Sequence, residues 1–147
     1  MAVLALAILT GCAASNAQPS RSPGQARPPK ASASPAPNVD ISDTNWRIVS
    51  IDGKNATGAR QPTMMFAGGW ISGNAGCNSY SGPYSLDGDS LSVGPLMSSK
   101  KACVGGGMDT ELTLFPALLG TLVVDRISAE QLTLTGSGHQ ITLRRAD

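Results

Sequence analysis

The residues of this 147-residue chain that could do chemistry stand apart from one another, and their spacing excludes most reactions. His139 is the only histidine, and one imidazole with no cysteine to spare cannot build a zinc site of ordinary ligand count. Its place after Gly138, where an alternating apolar run begins, reads as a turn or strand edge rather than a general base. Asp87-Gly88-Asp89 offers two carboxylates, but it lacks the ligand ladder and terminal Glu of a calcium loop and reads as a tight turn. Ser98 and Ser99 precede Lys100, yet adjacency does not give a lysine the geometry to activate a hydroxyl. Gly105-Gly106-Gly107 has no Lys-Ser or Lys-Thr after it, so it is slack in the chain and not a phosphate loop. Asn55-Ala56-Thr57 has the form of a glycosylation sequon, a three-residue match too short to carry a function by itself. These residues predict a protein that is no enzyme and takes no cofactor or metal.

The cysteines say more. Val3-Leu4-Ala5-Leu6-Ala7-Ile8-Leu9 is apolar but far shorter than the roughly 20 residues needed to span a bilayer. It runs into Leu9-Thr10-Gly11-Cys12, which resembles the lipobox of bacterial lipoprotein signals, where an apolar residue and two small ones precede the cysteine that takes a diacylglycerol. No Lys or Arg precedes the run, and a start codon further upstream would supply that positive segment. Residues 1–11 are therefore expected to be a signal peptide and Cys12 the lipidated first residue of the mature chain. Ala13, where an Asp would resemble an inner-membrane retention signal, points to the outer membrane. With Cys12 assigned to lipid, Cys77 and Cys103 remain, and an even pair in an exported chain reads as a disulfide. Two reduced, buried thiols that never meet are the alternative.

What must position these groups follows from composition. From Ala13 to Asn38 there is no Val, Ile, Leu, Met or aromatic residue, while Pro19, Pro23, Pro28, Pro29, Pro35 and Pro37 punctuate an Ala/Ser/Gln background. Such a segment cannot bury a core, so residues 12–39 are the lipidated cysteine and a disordered tether, reaching about 30 Å as a coil and about 80 Å if fully polyproline-like. Residues 40–147 have the pattern of one compact domain, with eight Lys and Arg against ten Asp and Glu. The whole chain carries a net charge of +1, which gives nucleic acid no electrostatic footing.

Within that domain, Trp46 to Ile51 reads as a strand ending at Asp52-Gly53. Pro62 to Phe66 and Trp70-Ile71-Ser72 form a hairpin around Gly68-Gly69. Pro83 to Leu86 and Ser90 to Val93 flank Asp87-Gly88-Asp89, residues that tolerate positive φ in a hairpin turn. Leu122 to Ile127, Leu132 to Thr135 and Gln140 to Arg144 complete the strands, the last two around Gly136-Ser137-Gly138. Met108, Leu112, Phe115, Leu119 and Leu122 recur at spacings of three and four and predict one helix, with Asp109 and Glu111 favouring its N-terminus. Pro116 predicts either a kink or a helix starting late enough to hold it in the first turn. Strands, helix, then strands with short turns predict an α+β fold: a strongly curved antiparallel sheet or partly closed barrel with one helix.

The run Ile71-Ser72-Gly73-Asn74-Ala75-Gly76-Cys77-Asn78-Ser79-Tyr80-Ser81-Gly82, followed by Leu91 and Val93, Leu96, Ser98-Ser99-Lys100-Lys101-Ala102-Cys103 and Glu111, resembles the META/HslJ-like domain of bacterial envelope proteins. The resemblance covers nearly all of residues 40–147. It implies a small β-rich domain with one helix, often in lipoproteins, associated with heat-shock response, drug tolerance or virulence, and with no attributed reaction. The chain departs from the family where Arg and an aromatic commonly follow Cys-Asn, and where Lys100-Lys101 stand in a run that commonly holds Arg; lysine does not copy the guanidinium fork.

Gly73, Gly76 and Gly82 read as places where a strand bends or takes positive φ, with Asn78 bonding the exposed backbone of the bend. The functional reading of the same block is a contact patch of Asn78, Tyr80, Tyr84, Lys100 and Lys101, gathered by the disulfide for an unidentified envelope protein. The expected whole is a monomeric domain, held to the membrane by its N-terminal lipid and facing the periplasm. It acts by contact in envelope stress response or maintenance; the alternative is a small-ligand or lipid-binding module using the cavity of the curved sheet.

Overall fold

The computed structural model describes residues 40–103 and 106–146, so the expected signal peptide, the expected lipidation at Cys12 and the expected tether up to residue 39 lie outside the described residues. From Thr44 onward the period-two alternation is realised as strands: β1 (Thr44–Ile51), β2 (Lys54–Asn55), β3 (Thr63–Ala67), β4 (Trp70–Asn74), β5 (Ser79–Asp87), β6 (Ser90–Val93) and β7 (Met97–Ser98). One helix, α1 (Gly107–Ala117), separates these from β8 (Gly120–Ser128), β9 (Gln131–Gly136) and β10 (His139–Arg145). The hairpins turn where residues accept positive φ: Asp52 and Gly53, Gly68 and Gly69, Gly88, and Ser137 with Gly138.

The strands pair antiparallel in the order β10, β9, β8, β6, β5, β4, β3, β1, and β1 returns to β10 through pairs running from Trp46 opposite Arg145 to Ile51 opposite Ile141. That last ladder closes the sheet completely, one step beyond the partly closed barrel expected from sequence, and leaves these eight strands without a free edge. The short strands lie off the ring: β2 extends β1, and β7 adds to β5. A β-bulge makes the closure possible. The register of β1 against β10 shifts between Ile48 and Ser50, leaving Val49 as the extra residue. Ile48 and Ile51, three apart, therefore both point inward and are buried; without the bulge a pleat of period two would send one of them outward.

An eight-stranded barrel is just wide enough to be filled by its own side chains. Here Trp46, Ile48, Met64, Phe66, Ile71, Leu91, Leu122, Leu132, Leu134, Ile141 and Leu143 occupy the interior with no solvent exposure. The Trp46 indole nitrogen donates to Thr44 Oγ1 at 2.7 Å, so the one polar atom of that ring is satisfied inside the core.

The helix lies across one end of this barrel. It packs on β1 and β10, while its Phe115 ring meets the ring of Tyr80 on β5 edge-on, with centroids 5.8 Å apart. Strand β5 stands opposite β10 in the ring, so an element touching both must bridge the mouth. Its buried residues are Gly107, Thr110, Leu114 and Ala117, followed by Leu118 just beyond its end. This corrects the predicted phase. Leu112 and Leu119, expected in the core, are 68% and 59% exposed. The interior stripe begins with a glycine and a threonine that no hydrophobic pattern selects. Of the two expectations for Pro116, the first-turn position is not found: it sits in the last turn, where the backbone donor it lacks is missed only once before the helix stops.

The helix start fits because three backbones meet there without side chains between them. A Cβ on Gly58 would fall 2.3 Å from the Cα of Gly76, and one on Gly107 would fall 2.8 Å from the Gly76 carbonyl oxygen. Gly76 itself has φ +99°. Thr110 Oγ1 then donates to Thr57 O at 2.6 Å and accepts from Thr57 N at 3.1 Å, tying the 56–61 loop to the helix. Replacing Gly58 by alanine is expected to lower stability by about 1–3 kcal/mol, the usual cost of forcing atoms into a filled contact. Urea unfolding would show a reduced midpoint with unchanged slope; a midpoint equal to wild type would mean the three backbones do not approach this closely in solution.

Candidate functional site

The turn between β4 and β5 is built around one side-chain amide. Asn74 Oδ1 accepts from Gly76 N at 2.8 Å, starting the turn, and Ala75 N donates to Asn78 O at 2.8 Å, finishing it. Asn78 is then buried, 2% exposed, with every hydrogen-bonding position of its amide used. Its Nδ2 donates to Glu111 Oε2 at 2.8 Å and to Lys101 O at 3.2 Å, while its Oδ1 accepts from Lys101 N at 2.8 Å and from Ser99 Oγ at 2.9 Å. Its backbone N–H also points at Glu111 Oε2, at 3.3 Å. One residue thus joins the helix, the turn and the 99–103 segment. Next to it Cys77 and Cys103 are bonded to each other across a sequence separation of 26 residues, which removes the reduced-thiol alternative for this structure. On the chain-entropy account, closing such a loop stabilises the fold by about 3–4 kcal/mol.

The sequence-expected patch of Asn78, Tyr80, Tyr84, Lys100 and Lys101 is divided by this arrangement. Asn78 and Tyr80 are interior residues. Tyr80 donates its hydroxyl to Thr63 O at 3.0 Å, in a slot that Gly73, its cross-strand partner, leaves open. Burial pushes its phenol far above the ordinary tyrosine range and keeps it a proton donor. Tyr84, one pleat further along β5, is half-buried and meets Phe66 edge-on at 5.2 Å. Lys100 and Lys101 are exposed. The disulfide and Asn78 do gather the 99–103 segment onto the β4–β5 turn, but what they present outward is lysine and not the tyrosines.

Of the other chemistry-bearing residues, His139 and Asp87-Gly88-Asp89 fall where their spacing predicted, whereas Gly107, read as slack, is a buried first residue of the helix. His139 is the first residue of β10, and its Nδ1 donates to Asp52 Oδ2 at 2.7 Å across the barrel closure. That bond and the Gln140 backbone N–H hold the Asp52 carboxyl below the usual carboxylate range. Gly88 and Asp89 form the β5–β6 turn. Ser99 Oγ is spent on Asn78, and the Ser98 hydroxyl donates to Ser99 O. Cys12 lies outside the described residues.

Two surfaces emerge that the sequence reading did not single out. The first is the outer face of β3, β4, β5 and β7. Register sets Asn45, Met65, Ser72, Ser81 and Met97 in one row and Ala67, Trp70 and Pro83 in the next. Thr63, Asn74 and Ser79 form a third row. No charged residue stands in any of these rows over the four strands, while Met65, Trp70 and Met97 are 43%, 48% and 61% exposed. The signal was present in the chain as alternate positions of three consecutive strands, outward by parity and all uncharged. The second surface is a cleft of about 550 Å³ lined by Arg47, Val49, Asn55, Ala56, Gln61, Glu130, Arg144 and Arg145. Because the barrel interior is filled, this and the other concave spaces found among the described residues open on its outside, including a cleft of about 230 Å³ beside the helix start, lined by Thr57, Asp109 and Thr110 among others.

The META domain family model matches residues 39–147. Solved structures resemble the fold, two of them at more than a quarter sequence identity, as follows. An NMR structure of a protein from Burkholderia xenovorans is 26% identical, with a TM-score of 0.60 over 72% of this chain and 83% of its own. A second NMR structure is 27% identical, with a TM-score of 0.61 over 71% of this chain and 91% of its own. Comparison with curated proteins gives no match.

The Asn78 amide makes a sharp prediction. In Asn78→Asp a second carboxylate faces Glu111 where an N–H donor stood, so the variant is expected to lose roughly 2–3 kcal/mol at neutral pH. Two carboxylates in one buried place hold a proton more tightly than either does in the unfolded chain. The folded variant then binds more protons than the unfolded one, and its deficit shrinks as pH falls toward about 5. Thermal or urea unfolding at both pH values checks this; a deficit that does not change with pH would refute the Asn78–Glu111 pairing.

Proposed function

This chain belongs to the META domain family, and we propose that it serves as a lipid-anchored envelope protein whose barrel acts by contact with another envelope protein, without catalysis. The observation that carries the reading is the uncharged face of β3, β4, β5 and β7. Interface cores differ from ordinary protein surface by being depleted in charge and enriched in aromatic residues and Met. The rows around Met65, Trp70 and Met97 have that composition, on a domain where charged residues are otherwise spread over the surface. The small side chains of Ser72 and Ser81 lie between Met65 and Met97. A partner side chain can settle there against apolar flanks and find hydroxyls to bond.

The address belongs to the proposal as well. The Leu9-Thr10-Gly11-Cys12 lipobox supports lipidation at Cys12 and export, Ala13 favours the outer membrane, and the Pro-rich stretch up to residue 39 supplies reach from it. The disulfide between Cys77 and Cys103 accords with an oxidising compartment. The envelope-stress or envelope-maintenance role rests on the family resemblance, and the monomeric domain contacts its partner through one wall of the barrel. The lysines that the 99–103 segment turns outward, next to β7, form the charged rim of that wall.

The experiment is site-specific photocrosslinking in living cells. p-Benzoylphenylalanine in place of Met65, Trp70 or Met97 is expected to give one discrete protein adduct, and the same group in place of Ser85 or Thr133 none. Trp70→Lys should remove the adduct formed from position 65 and abolish complementation of an envelope-stress phenotype of the deletion strain, while leaving the melting temperature within a few degrees of wild type. Adducts that are equal from all five positions, or full complementation by Trp70→Lys, would overturn the reading.

A further inference from the structure

The methionines of the domain divide by where the pleat sends their sulfurs. Met64 and Met65 are neighbours in the chain on β3, yet Met64 has no solvent exposure and Met65 is 43% exposed. Met97 on β7 is 61% exposed, and Met108 in the helix is half-buried. Register sets the two exposed ones at the ends of one run, Met65, Ser72, Ser81, Met97, across β3, β4, β5 and β7. The serines between them are short, so neither thioether has a long neighbour in the row to cover it. Strand preference does not ask for methionine there: the alternate positions of β9 and β10 that leave the core hold Thr133, Thr135 and Thr142, the β-branched type that suits a pleated surface. Cys77 and Cys103 are bonded to each other, so among the described residues every reduced sulfur belongs to a methionine.

We infer that Met65 and Met97 form an oxidation site through which hypochlorous acid, a two-electron oxidant, switches off the uncharged face. The methyl thioether and hypochlorous acid give the methyl sulfoxide, a proton and chloride. Sulfur gains a bond to oxygen and loses two electrons, the bond between oxygen and chlorine breaks, and chlorine leaves with the electron pair. The product is polar where the thioether was apolar, a change that disrupts methionine-rich contacts. A partner that covers the row must then strip water from an acceptor oxygen for which its surface, fitted to a thioether, has no donor. Folding is spared, because both sulfoxides stand outside a filled barrel; Met64, one residue away, is the sulfur whose oxidation would disturb the core. A seated partner shields both thioethers, so the oxidant acts on the free protein and keeps it free. The inference rests on the contact reading of this face and adds the condition under which contact is lost.

The test takes the purified full chain with p-benzoylphenylalanine in place of Trp70, treats it with limiting hypochlorous acid, removes the oxidant, and adds it to untreated envelopes of the deletion strain before irradiation. Peptide mass spectrometry is expected to find one added oxygen on Met65 and on Met97 at least about tenfold sooner than on Met64, with the urea midpoint unchanged. The adduct from position 70 is then expected to fall about fivefold or more and to return after treatment with methionine sulfoxide reductases A and B. Met65→Leu combined with Met97→Leu, a volume-conserving exchange that leaves no sulfur on the row, should keep its adduct through the same treatment. An adduct unchanged once both sulfurs are oxidised, an equal loss in the leucine variant, or oxidation of Met64 as fast as of Met65 would overturn the inference and leave the contact reading standing. No adduct even before oxidation would sink both.

Discussion

A helix can close the mouth of this barrel only if its first turn comes down onto the β4–β5 turn at backbone distance. Gly58, Gly76 and Gly107 are the residues that permit it, for a Cβ on any of them would collide with the backbone of another or of its neighbour. The approach brings carbonyls and N–H groups of three segments into a place that water leaves. Each then needs a partner within the protein. Thr110 supplies two of those bonds to Thr57, and Arg60 N donates to Gly76 O at 3.4 Å. The close contact thus dictates the polar residues around it as much as the glycines themselves.

Asn78 extends the same logic to the next layer. A carboxylate from α1, Glu111, enters the junction to meet N–H donors, and only a residue carrying both donors and acceptors can bond it and the 99–103 segment together. An amide has two of each, and all four are used here. The disulfide between Cys77 and Cys103 fixes the same segment to the same turn. Amide and disulfide differ in kind: the covalent bond limits how far the unfolded chain can spread, while the amide selects one arrangement of the folded one. Losing the amide leaves a carboxylate facing unpaired groups, which costs more than the bonds themselves contribute.

Most of the barrel was legible in the sequence because it is made of local signals. Alternation in Leu132 to Thr135 and Gln140 to Arg144, and the Asp-Gly and Gly-Gly turns, place the hairpins correctly. Closure was harder to read, since it depends on β1 pairing with β10 across almost the whole domain, and on a bulge at Val49 that no propensity marks. The apolar spacing marks the helix, but its phase is set by contacts that no apolar spacing shows. Its inner face is chosen by close approach at Gly107 and hydrogen bonding at Thr110, so the apolar stripe of Leu112 and Leu119 was left to solvent. Parity divides the expected contact patch. Tyr80, Tyr84 and Leu86 are separated by even steps on β5, and a pleat of period two turns them toward one face, where Tyr80 is buried and Tyr84 half-buried.

Parity also explains why the outside of this barrel carries the functional readings. The inward positions are committed to packing, and those of the β4–β5 turn to the junction with the helix; exchanging them disturbs the fold. The outward positions of β3, β4 and β5 are free of that demand, yet they hold Met65, Trp70 and small uncharged residues where charged ones would serve solubility equally well. A closed barrel does not need that choice to fold. Where a sequence departs from what folding prefers on one wall, the departure is most economically read as a requirement of what that wall meets.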